Sequence, residues 1–293
     1  MSLGAVRLFR FAPCDTARGE PESRLHAYLW DKSQGVKAKK SYGQHFLTNH
    51  HIARRIARSL QGSGPVLEVG PGKGMLTQYL LELGRPLKVV EADPDMVAWL
   101  ETHFPDLGPH IIAADFLEVP LDEVFDGQAF SLVGNFPYNI SSQIVFHMLD
   151  YRQHVPEMVG MFQLEMARRI VAGPGSKEYG VISVLTQAWY EGKLLFQVSK
   201  GNFNPPPKVQ SAVIRLERKE DAALGCDEAL FRTVVKTVFN QRRKMLRNTV
   251  KSLVPPGTSL EHELMTRRPE QLSLDEFVAL TNWVAACQAG QST

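Results

Sequence analysis

Short runs of apolar residues, many of them β-branched, recur along the middle of the chain, and stretches with helical spacing separate them. The first four runs lie at residues 66–69, 87–90, 110–113 and 131–133. Continuous apolar runs of this length are typical of strands buried on both faces. Their alternation with helices predicts an α/β fold with a mostly parallel sheet covered by helices.

Further apolar runs at residues 158–162, 194–198 and 212–216 extend the predicted sheet, with a helix over residues 182–190 between them. After Glu220 the strand pattern stops and helical periodicity takes over. One helix is predicted from the apolar positions Leu230, Val234, Val235 and Val238, and another over residues 274–285. We therefore divide the chain into an N-terminal extension (1–35), an α/β domain (36–219) and a small all-helical domain (220–293).

Composition narrows the class of protein. The 293 residues are 44% hydrophobic, and 33 Lys and Arg nearly balance 31 Asp and Glu, so net charge alone indicates no polyanionic partner. Cys14, Cys226 and Cys287 lack the spacing of a zinc site or a disulfide framework. No apolar run is long enough to span a bilayer, and the first 30 residues lack a secretory pattern. We expect a cytoplasmic protein with no metal and no membrane partner.

A glycine-rich turn follows the first predicted strand. Gly70, Gly72 and Gly74 would let backbone amides approach a ligand at the carboxyl edge of the sheet, although a tight turn without a ligand has the same pattern. Met75 stands where a dinucleotide fingerprint has glycine or alanine. Glu91, which closes the second strand, is placed to accept from two ribose hydroxyls, and Asp115, which closes the third, from an adenine amine. The combination favours an adenosine ligand.

The fourth strand ends in the tetrapeptide Asn135, Phe136, Pro137 and Tyr138. An adenine amine is a poor nucleophile because its lone pair is delocalised into the ring. The Asn135 side-chain oxygen and the Phe136 carbonyl could accept both amine hydrogens and aim the nitrogen at an electrophilic methyl group. The same acceptors would stabilise the developing positive charge. Tyr138 offers a face on which an extruded base can stack. A turn with a locally bonded Asn is the alternative without catalysis.

These residues resemble one family, the ribosomal RNA small-subunit adenine dimethyltransferases (KsgA type). Four other segments carry the resemblance, which spans residues 36–283: they are SYGQHFL (41–47), GPGSKEYG (173–180), FNPPPKV (203–209) and NQRRKMLRN (240–248). The resemblance implies a Rossmann-like class I methyltransferase fold. It also implies N6,N6-dimethylation of two adjacent adenosines near the end of small-subunit (16S) ribosomal RNA.

The resemblance also implies roles for individual residues. S-adenosylmethionine, whose product is S-adenosylhomocysteine, would be bound by the following residues: Gln44, His45, Leu47, Gly70, Gly72, Glu91, Asp115 and Asn135. Phe203 would flank the target base. Two features depart from the family pattern: Phe136 stands where the family more often has Leu, and the segment up to Ser33 has no recognised counterpart.

A basic stretch supplies the expected contact with RNA. Between Glu228 and Glu261 there is no acidic residue, while seven basic residues fall there: Arg232, Lys236, Arg242, Arg243, Lys244, Arg247 and Lys251. On one continuous helix, Lys236, Arg243 and Arg247 would share a side and bind phosphates. A solvated helix surface is the alternative. Basic residues on both sides of the segment at 41–47 would add a second contact, namely Lys37, Lys39, Lys40, Arg54, Arg55 and Arg58.

Three other functions remain open from the sequence. A DNA adenine methyltransferase uses the same chemistry but usually has Pro at the second position of the tetrapeptide, and a relative that methylates large-subunit RNA shares the basic stretch. A non-enzymatic ribosome-assembly factor is the third. We expect the chain to act as a monomer on the small ribosomal subunit and its RNA.

Overall fold

The computed structural model describes residue 39, residues 43–220 and residues 223–290. Its centre is a seven-stranded sheet in the order β4-β3-β2-β5-β6-β9-β7. The strands of the sheet are β2 (Val66–Val69), β3 (Leu87–Glu91), β4 (Ile111–Ala113), β5 (Ser131–Asn135), β6 (Glu157–Gln163), β7 (Tyr190–Val198) and β9 (Ser211–Arg218). A separate two-stranded sheet pairs β1 (Phe46–Leu47) with β8 (Phe203–Asn204).

Nine α-helices occupy the described ranges. They are α1 (His50–Ala57), α2 (Thr77–Leu81), α3 (Pro94–His103), α4 (Ser141–Asp150), α5 (Leu164–Val171), α6 (Val181–Trp189), α7 (Glu228–Phe239), α8 (Leu246–Thr249) and α9 (Leu274–Gln288). The starts of α3 and α9 follow from side-chain capping: Asp93 accepts from the Asp95 amide, and Ser273 and Glu276 form a capping box.

The strands from β4 to β6 pair in parallel. At the other end of the sheet, β9 lies between β6 and β7 and pairs antiparallel with both. Residues of β2 are buried along the whole strand because helices cover both faces of the sheet. The carboxyl ends of β3, β2 and β5 therefore meet at one edge, in the part of the fold where parallel α/β sheets bind ligands.

The predicted fold class is confirmed, with small differences at element boundaries. All seven predicted apolar runs are strands. Tyr190, predicted as the end of a helix, instead begins β7, because its side chain is buried and its hydroxyl donates to the Val155 carbonyl. His110, predicted in a strand, lies in a 3-10 helix before β4.

The C-terminal helices pack through apolar stripes. In α7 the buried positions are Phe231, Val234, Val235 and Val238, and in α9 they include Phe277, Leu280 and Val284. The Phe239 and Phe277 rings stack with centroids 5.8 Å apart. In the predicted helical domain at 220–293, helices are the only regular elements among the described residues. Residues 37–293 group into one compact unit, so the boundary at 220 stays a prediction.

The single basic helix predicted beyond Lys236 is wrong. Helix α7 ends at Phe239, residues 240–245 form a turn, and a short α8 follows. The core-facing stripe ends after Val238 because the next positions on that side include Gln241 and Arg242, which cannot replace apolar residues in the core. Arg243 and Arg247 thus lie on different elements.

Trp189 anchors the last helices to the α/β part. Its buried ring lies between two guanidinium groups, with Arg152 4.6 Å and Arg232 5.2 Å from the ring centroid. Each arginine also pairs across to the other element: Arg152 with Glu228 at 2.7 Å, and Arg232 with Asp150 at 3.0 Å. Burial of the ring should contribute more to stability than the partly exposed ion pairs do.

Trp189→Ala should therefore lower the free energy of unfolding by roughly 3–5 kcal/mol. Glu228→Gln, which removes only one partly exposed ion pair, should cost less than about 1 kcal/mol. Urea unfolding followed by circular dichroism measures both values. Equal losses for the two variants would contradict the view that the ring, and not the ion pair, provides the anchor.

Candidate active site

The carboxyl ends of three neighbouring strands bring the predicted site residues together. The glycine turn follows the central strand β2, which lies between β3 and β5, and these two end at Glu91 and Asn135. Adjacent strands are about 4.8 Å apart, so the turn is flanked on one side by an acid and on the other by the tetrapeptide. The sheet order thus produces the juxtaposition that the sequence predicts.

The glycine turn is shaped by backbone that favours glycine. Gly70 and Gly72 have φ angles of +66° and +54°. A Cβ on Gly72 would lie 2.9 Å from the ring of Phe46, so no larger residue fits there. The Gly72 amide donates to Glu91 Oε2 at 3.1 Å, which fixes the turn against the end of β3.

Glu91 is 7% exposed, and each of its oxygens accepts a backbone hydrogen bond: Oε1 from the Asp93 amide at 3.0 Å, and Oε2 from Gly72. Burial raises the pKa of its carboxyl, while these backbone hydrogen bonds oppose the shift. A carboxylate has about four acceptor positions, so Glu91 keeps capacity for two hydroxyl donors.

Asp115 does not close its strand as predicted. Strand β4 ends at Ala113, and exposed Asp115 caps a 3-10 helix by accepting from the Leu117 amide at 3.0 Å. An Asp at this point of the sequence is typical both of a strand end and of a helix cap, so the sequence alone could not distinguish the two positions. A contact between Asp115 and a ligand stays a prediction.

The amide of Asn135 is oriented by a hydrogen bond across the site. Its Nδ2 donates to the backbone carbonyl of His45 at 2.9 Å. No described residue donates to its Oδ1, so the oxygen remains the acceptor that amine recognition requires. The orientation that the predicted chemistry needs is built into the fold.

Phe136 is buried, and its ring occupies a notch made by two glycines. Gly134 and Gly160 pair across β5 and β6, and a Cβ on Gly134 would lie 2.7 Å from the Phe136 ring. A Cβ on Gly160 would overlap the same ring. The notch explains how the chain accommodates Phe at a position where the family more often has Leu.

Tyr138 is half-buried and fixed at its hydroxyl, which lies 2.6 Å from Ser211 Oγ. Burial raises the pKa of Tyr138, and the hydrogen bond to Ser211 opposes the rise. Its ring lies 5.3 Å from the His45 ring, at 31° between planes. The two rings border the same side of the site.

Two segments predicted from family resemblance meet above this edge. Leu47 pairs with Phe203 in the two-stranded sheet, and His45 Nδ1 lies 2.8 Å from the Pro205 carbonyl oxygen. Leu47 and Phe203 are each 4% exposed, so both side chains form packed walls. Ser41, Tyr42, Lys37, Lys40 and the predicted extension at residues 1–35 lie outside the described residues.

A polar network lies beside Glu91 and was not predicted from the sequence. Gln44, predicted to contact cofactor, donates through Nε2 to Asp93 Oδ2 at 2.9 Å, and Lys39 Nζ lies 2.6 Å from Asp93 Oδ1. Asp93 is also the N-cap of α3. A fully buried acid cannot be distinguished from an exposed capping residue by its position in the sequence.

Glu68 is a second buried acid that the sequence did not indicate. It is 1% exposed, and the Thr77 hydroxyl donates to its Oε2 at 2.7 Å. Burial raises the pKa of Glu68 to about 8; the Thr77 hydrogen bond opposes this shift and the charge of Glu91 adds to it. At neutral pH this carboxyl is therefore mainly protonated.

The predicted RNA-contacting residues fall into two groups. Arg242 is part of the structure: its Nη2 donates to the Ser176 carbonyl at 3.0 Å, and its Nε lies 3.4 Å from Glu270 Oε2. Arg243, Lys244 and Arg247 are exposed. This second group presents its charge to solvent, as do Lys236 and Lys251 of the same basic stretch.

Residues 35–286 match the family described as ribosomal RNA adenine dimethylase. The chain belongs to this family. The resemblance predicted from the sequence segments is thereby confirmed, and with it the enzyme class.

Other members of the adenine dimethylase family are similar over most of their length. The "Ribosomal RNA small subunit methyltransferase A" of Parabacteroides distasonis is 55% identical over 84% of this chain and 93% of its own. The protein of the same name from Flavobacterium johnsoniae is 50% identical over 86% of this chain and 97% of its own.

Two solved structures share the fold. A dimethyladenosine transferase from Plasmodium falciparum has a TM-score of 0.68 and 25% identity, covering 84% of this chain and 98% of its own. The 23S rRNA methyltransferase ErmE has a TM-score of 0.58 and 26% identity, covering 81% and 99%. The chain thus has the Rossmann-like class I methyltransferase fold that the resemblance implied.

Two features are absent from the described residues. No helix there combines the length and apolar character needed to cross a membrane. No group of three or more His, Cys, Asp and Glu side chains in the same ranges is arranged to hold a metal ion.

Glu68→Gln should make the free energy of unfolding depend less on pH. The folded Glu68 keeps its proton to about pH 8, whereas the unfolded residue loses it near pH 4.5. Because the folded state holds more protons between these values, wild-type stability falls as pH rises through this window. The amide of the variant mimics the neutral acid and removes this fall. Urea unfolding without cofactor, at several pH values between about 5 and 9, measures it; equal slopes would mean that folded Glu68 is ionised.

Arg242→Ala should lower the free energy of unfolding by about 1–2 kcal/mol, because it removes the hydrogen bond to Ser176. Arg243→Ala, a matched change at the next position, removes an exposed side chain and should alter stability by less than about 0.5 kcal/mol. Thermal and urea unfolding compare the two. The structural role of Arg242 is contradicted if both variants match wild type.

Proposed function

We propose that this chain transfers methyl groups from S-adenosylmethionine to the exocyclic amine of adenine in small-subunit ribosomal RNA. The observation that carries the proposal is the fixed amide of Asn135, whose Nδ2 is held by the His45 carbonyl at 2.9 Å at the end of β5. This hydrogen bond leaves Oδ1 as an acceptor at the carboxyl edge of the sheet, beside the glycine turn.

The residues at that edge fit S-adenosylmethionine. Glycines with positive φ let the turn approach a ligand closely, and the buried Glu91 carboxylate has acceptor capacity for two ribose hydroxyls. Gln44, His45, Leu47, Gly70, Gly72 and Asp115 complete the proposed cofactor set. When bound, S-adenosylmethionine supplies an electrophilic methyl group on a sulfonium centre.

The chain's own groups provide orientation and charge stabilisation. Asn135 Oδ1 and the Phe136 carbonyl accept the two amine hydrogens of the target adenine and hold the nitrogen lone pair in line for transfer. The same dipoles stabilise the positive charge that develops on the nitrogen before it loses a proton. Tyr138, held by Ser211, provides a face for the extruded base, and Phe203 forms part of the pocket wall.

Small-subunit RNA is the favoured substrate. Relatives named for the small subunit are 50–55% identical to this chain, whereas the large-subunit enzyme ErmE is 26% identical. We propose two adjacent adenosines near the 3′ end of 16S RNA as the targets, each receiving two methyl groups. Phe136 differs from the Pro usual in DNA adenine methyltransferases.

The helical part at residues 220–293 is the proposed RNA-binding domain, and residues 36–219 the catalytic domain. Exposed Arg243, Lys244 and Arg247 would contact phosphates, which position RNA without selecting sequence. Arg242 would hold the turn that carries this surface in place through its bonds to Ser176 and Glu270. We further propose that the protein acts in the cytoplasm as a monomer during ribosome biogenesis, releasing S-adenosylhomocysteine.

Transfer of labelled methyl groups tests the proposal. Unmethylated small subunits should become labelled as N6,N6-dimethyladenosine, while mature large subunits and duplex DNA in parallel reactions should not. Label in large-subunit RNA or DNA would refute the proposed substrate. Absence of label from every substrate, with particle binding retained, would favour an assembly factor instead.

Asn135→Ala should reduce the methylation rate at least about 100-fold, because it removes an acceptor used in the transition state. Asn282→Ala, which alters an exposed Asn that bonds to the Gly225 carbonyl, should retain the wild-type rate. Single-turnover methyl transfer measures both variants, after calorimetry has established their cofactor saturation. A rate for Asn135→Ala within threefold of wild type would eliminate the assigned role.

A further inference from the structure

We propose that Asp93 is a positioning residue that ties the strap (Lys39 and residues 43–47) to the cofactor-binding acid Glu91, and thereby raises affinity for the cofactor. This inference rests on the proposed function, because it takes Glu91 as the ribose-binding group. It assigns Asp93 a role beyond that of a helix cap.

The first support is the environment of the Asp93 side chain. The residue is 0% exposed, and the strap supplies two of its hydrogen-bond donors, Lys39 Nζ at 2.6 Å and Gln44 Nε2 at 2.9 Å. Burial acts to raise the pKa of Asp93, but the hydrogen bonds from Lys39, Gln44 and the Asp95 amide, together with the charge of Lys39, hold the pKa below its ordinary value. The charged form of a buried acid thus depends on the strap being docked.

The second support is a continuous path to the cofactor edge. The Asp93 amide donates to Glu91 Oε1 at 3.0 Å, and the other oxygen of Glu91 accepts from Gly72. The strap returns to this turn through Phe46, whose ring would lie 2.9 Å from a Cβ at Gly72. The strap therefore reaches the Glu91 carboxylate by two routes, through its hydrogen bonds to Asp93 and through the packing of Phe46 against Gly72.

The third support is that the strap also reaches the tetrapeptide. Gln44 precedes His45, whose carbonyl accepts from Asn135. Gly43 lies against Asn139, since a Cβ on Gly43 would lie 2.5 Å from the Asn139 Oδ1. A strap released at Asp93 would lose its anchor at one end while contacts at the other end remain, so cofactor retention should suffer more than the chemical step.

A charge exchange between positions 44 and 93 tests the link without removing the helix cap. Asn is as good a cap as Asp, so Asp93→Asn preserves the start of α3. In this variant the introduced amide nitrogen would replace the oxygen that accepts from Gln44 Nε2, so two N–H donors would face each other. Gln44→Glu alone would place two carboxylates together, whereas Gln44→Glu combined with Asp93→Asn restores an acceptor opposite a donor.

The measurement is the dissociation constant of S-adenosylhomocysteine by calorimetry, together with KM for S-adenosylmethionine and kcat on small subunits. Each single variant should raise the dissociation constant and KM by roughly tenfold, as expected for loss of a hydrogen bond to a charged group, with kcat changed less than about threefold. The double variant should return to within about threefold of wild type. Asp95→Asn, which removes the exposed partner of Lys39 at 2.7 Å, is the matched control and should bind like wild type within about twofold.

The proposal is overturned if Asp93→Asn and Gln44→Glu both bind as wild type, or if the double variant binds no better than the singles. Should Asp93→Asn fail to fold, Gln44→Glu and the double variant still decide the question, because Gln44 lies on the strap. Failure of the wild-type protein to bind S-adenosylhomocysteine at all would instead refute the proposed cofactor, and so the proposed function itself.

Discussion

The hydrogen bond from Asn135 Nδ2 to the His45 carbonyl joins two parts of the site that lie 90 residues apart in sequence. An amide has one donor end and one acceptor end, so committing the donor to the strap fixes the direction of the acceptor. The bond requires β5 to end beside the strap, which the sheet order and the pairing of β1 with β8 provide. The proposed chemistry at Asn135 depends on this one constraint.

Packing beneath the edge holds the same geometry from the other side. Phe136 fits the notch between Gly134 and Gly160, and its amide donates to the Met161 carbonyl at 3.2 Å. The hydroxyl of Tyr138 is held by Ser211 on β9. Close packing leaves these groups few alternative positions, so the carbonyl and the aromatic face proposed to meet the target adenine are preorganised before any ligand arrives.

The sheet could be predicted because its strands are buried on both faces and so appear as continuous apolar runs. The edge residues Glu91 and Asn135 followed from parallel strand order. Asp93 could not be recognised as buried, because a buried cap and an exposed cap have the same local sequence pattern. The role of Gly160, which leaves room for the Phe136 ring, depends on the pairing of β5 with β6 and is not visible in the sequence. The prediction of a continuous basic helix was wrong because the apolar stripe that a packed helix needs does not continue at Arg242.

A crystal structure of the chain with S-adenosylhomocysteine tests the central claim most directly. We predict that the ribose hydroxyls bond to the Glu91 carboxylate and that the sulfur lies under the strap, facing Asn135 Oδ1 and the Phe136 carbonyl, with the Asn135 to His45 bond intact. Ligand bound away from Glu91, or an Asn135 amide turned so that its nitrogen faces the sulfur, would contradict it.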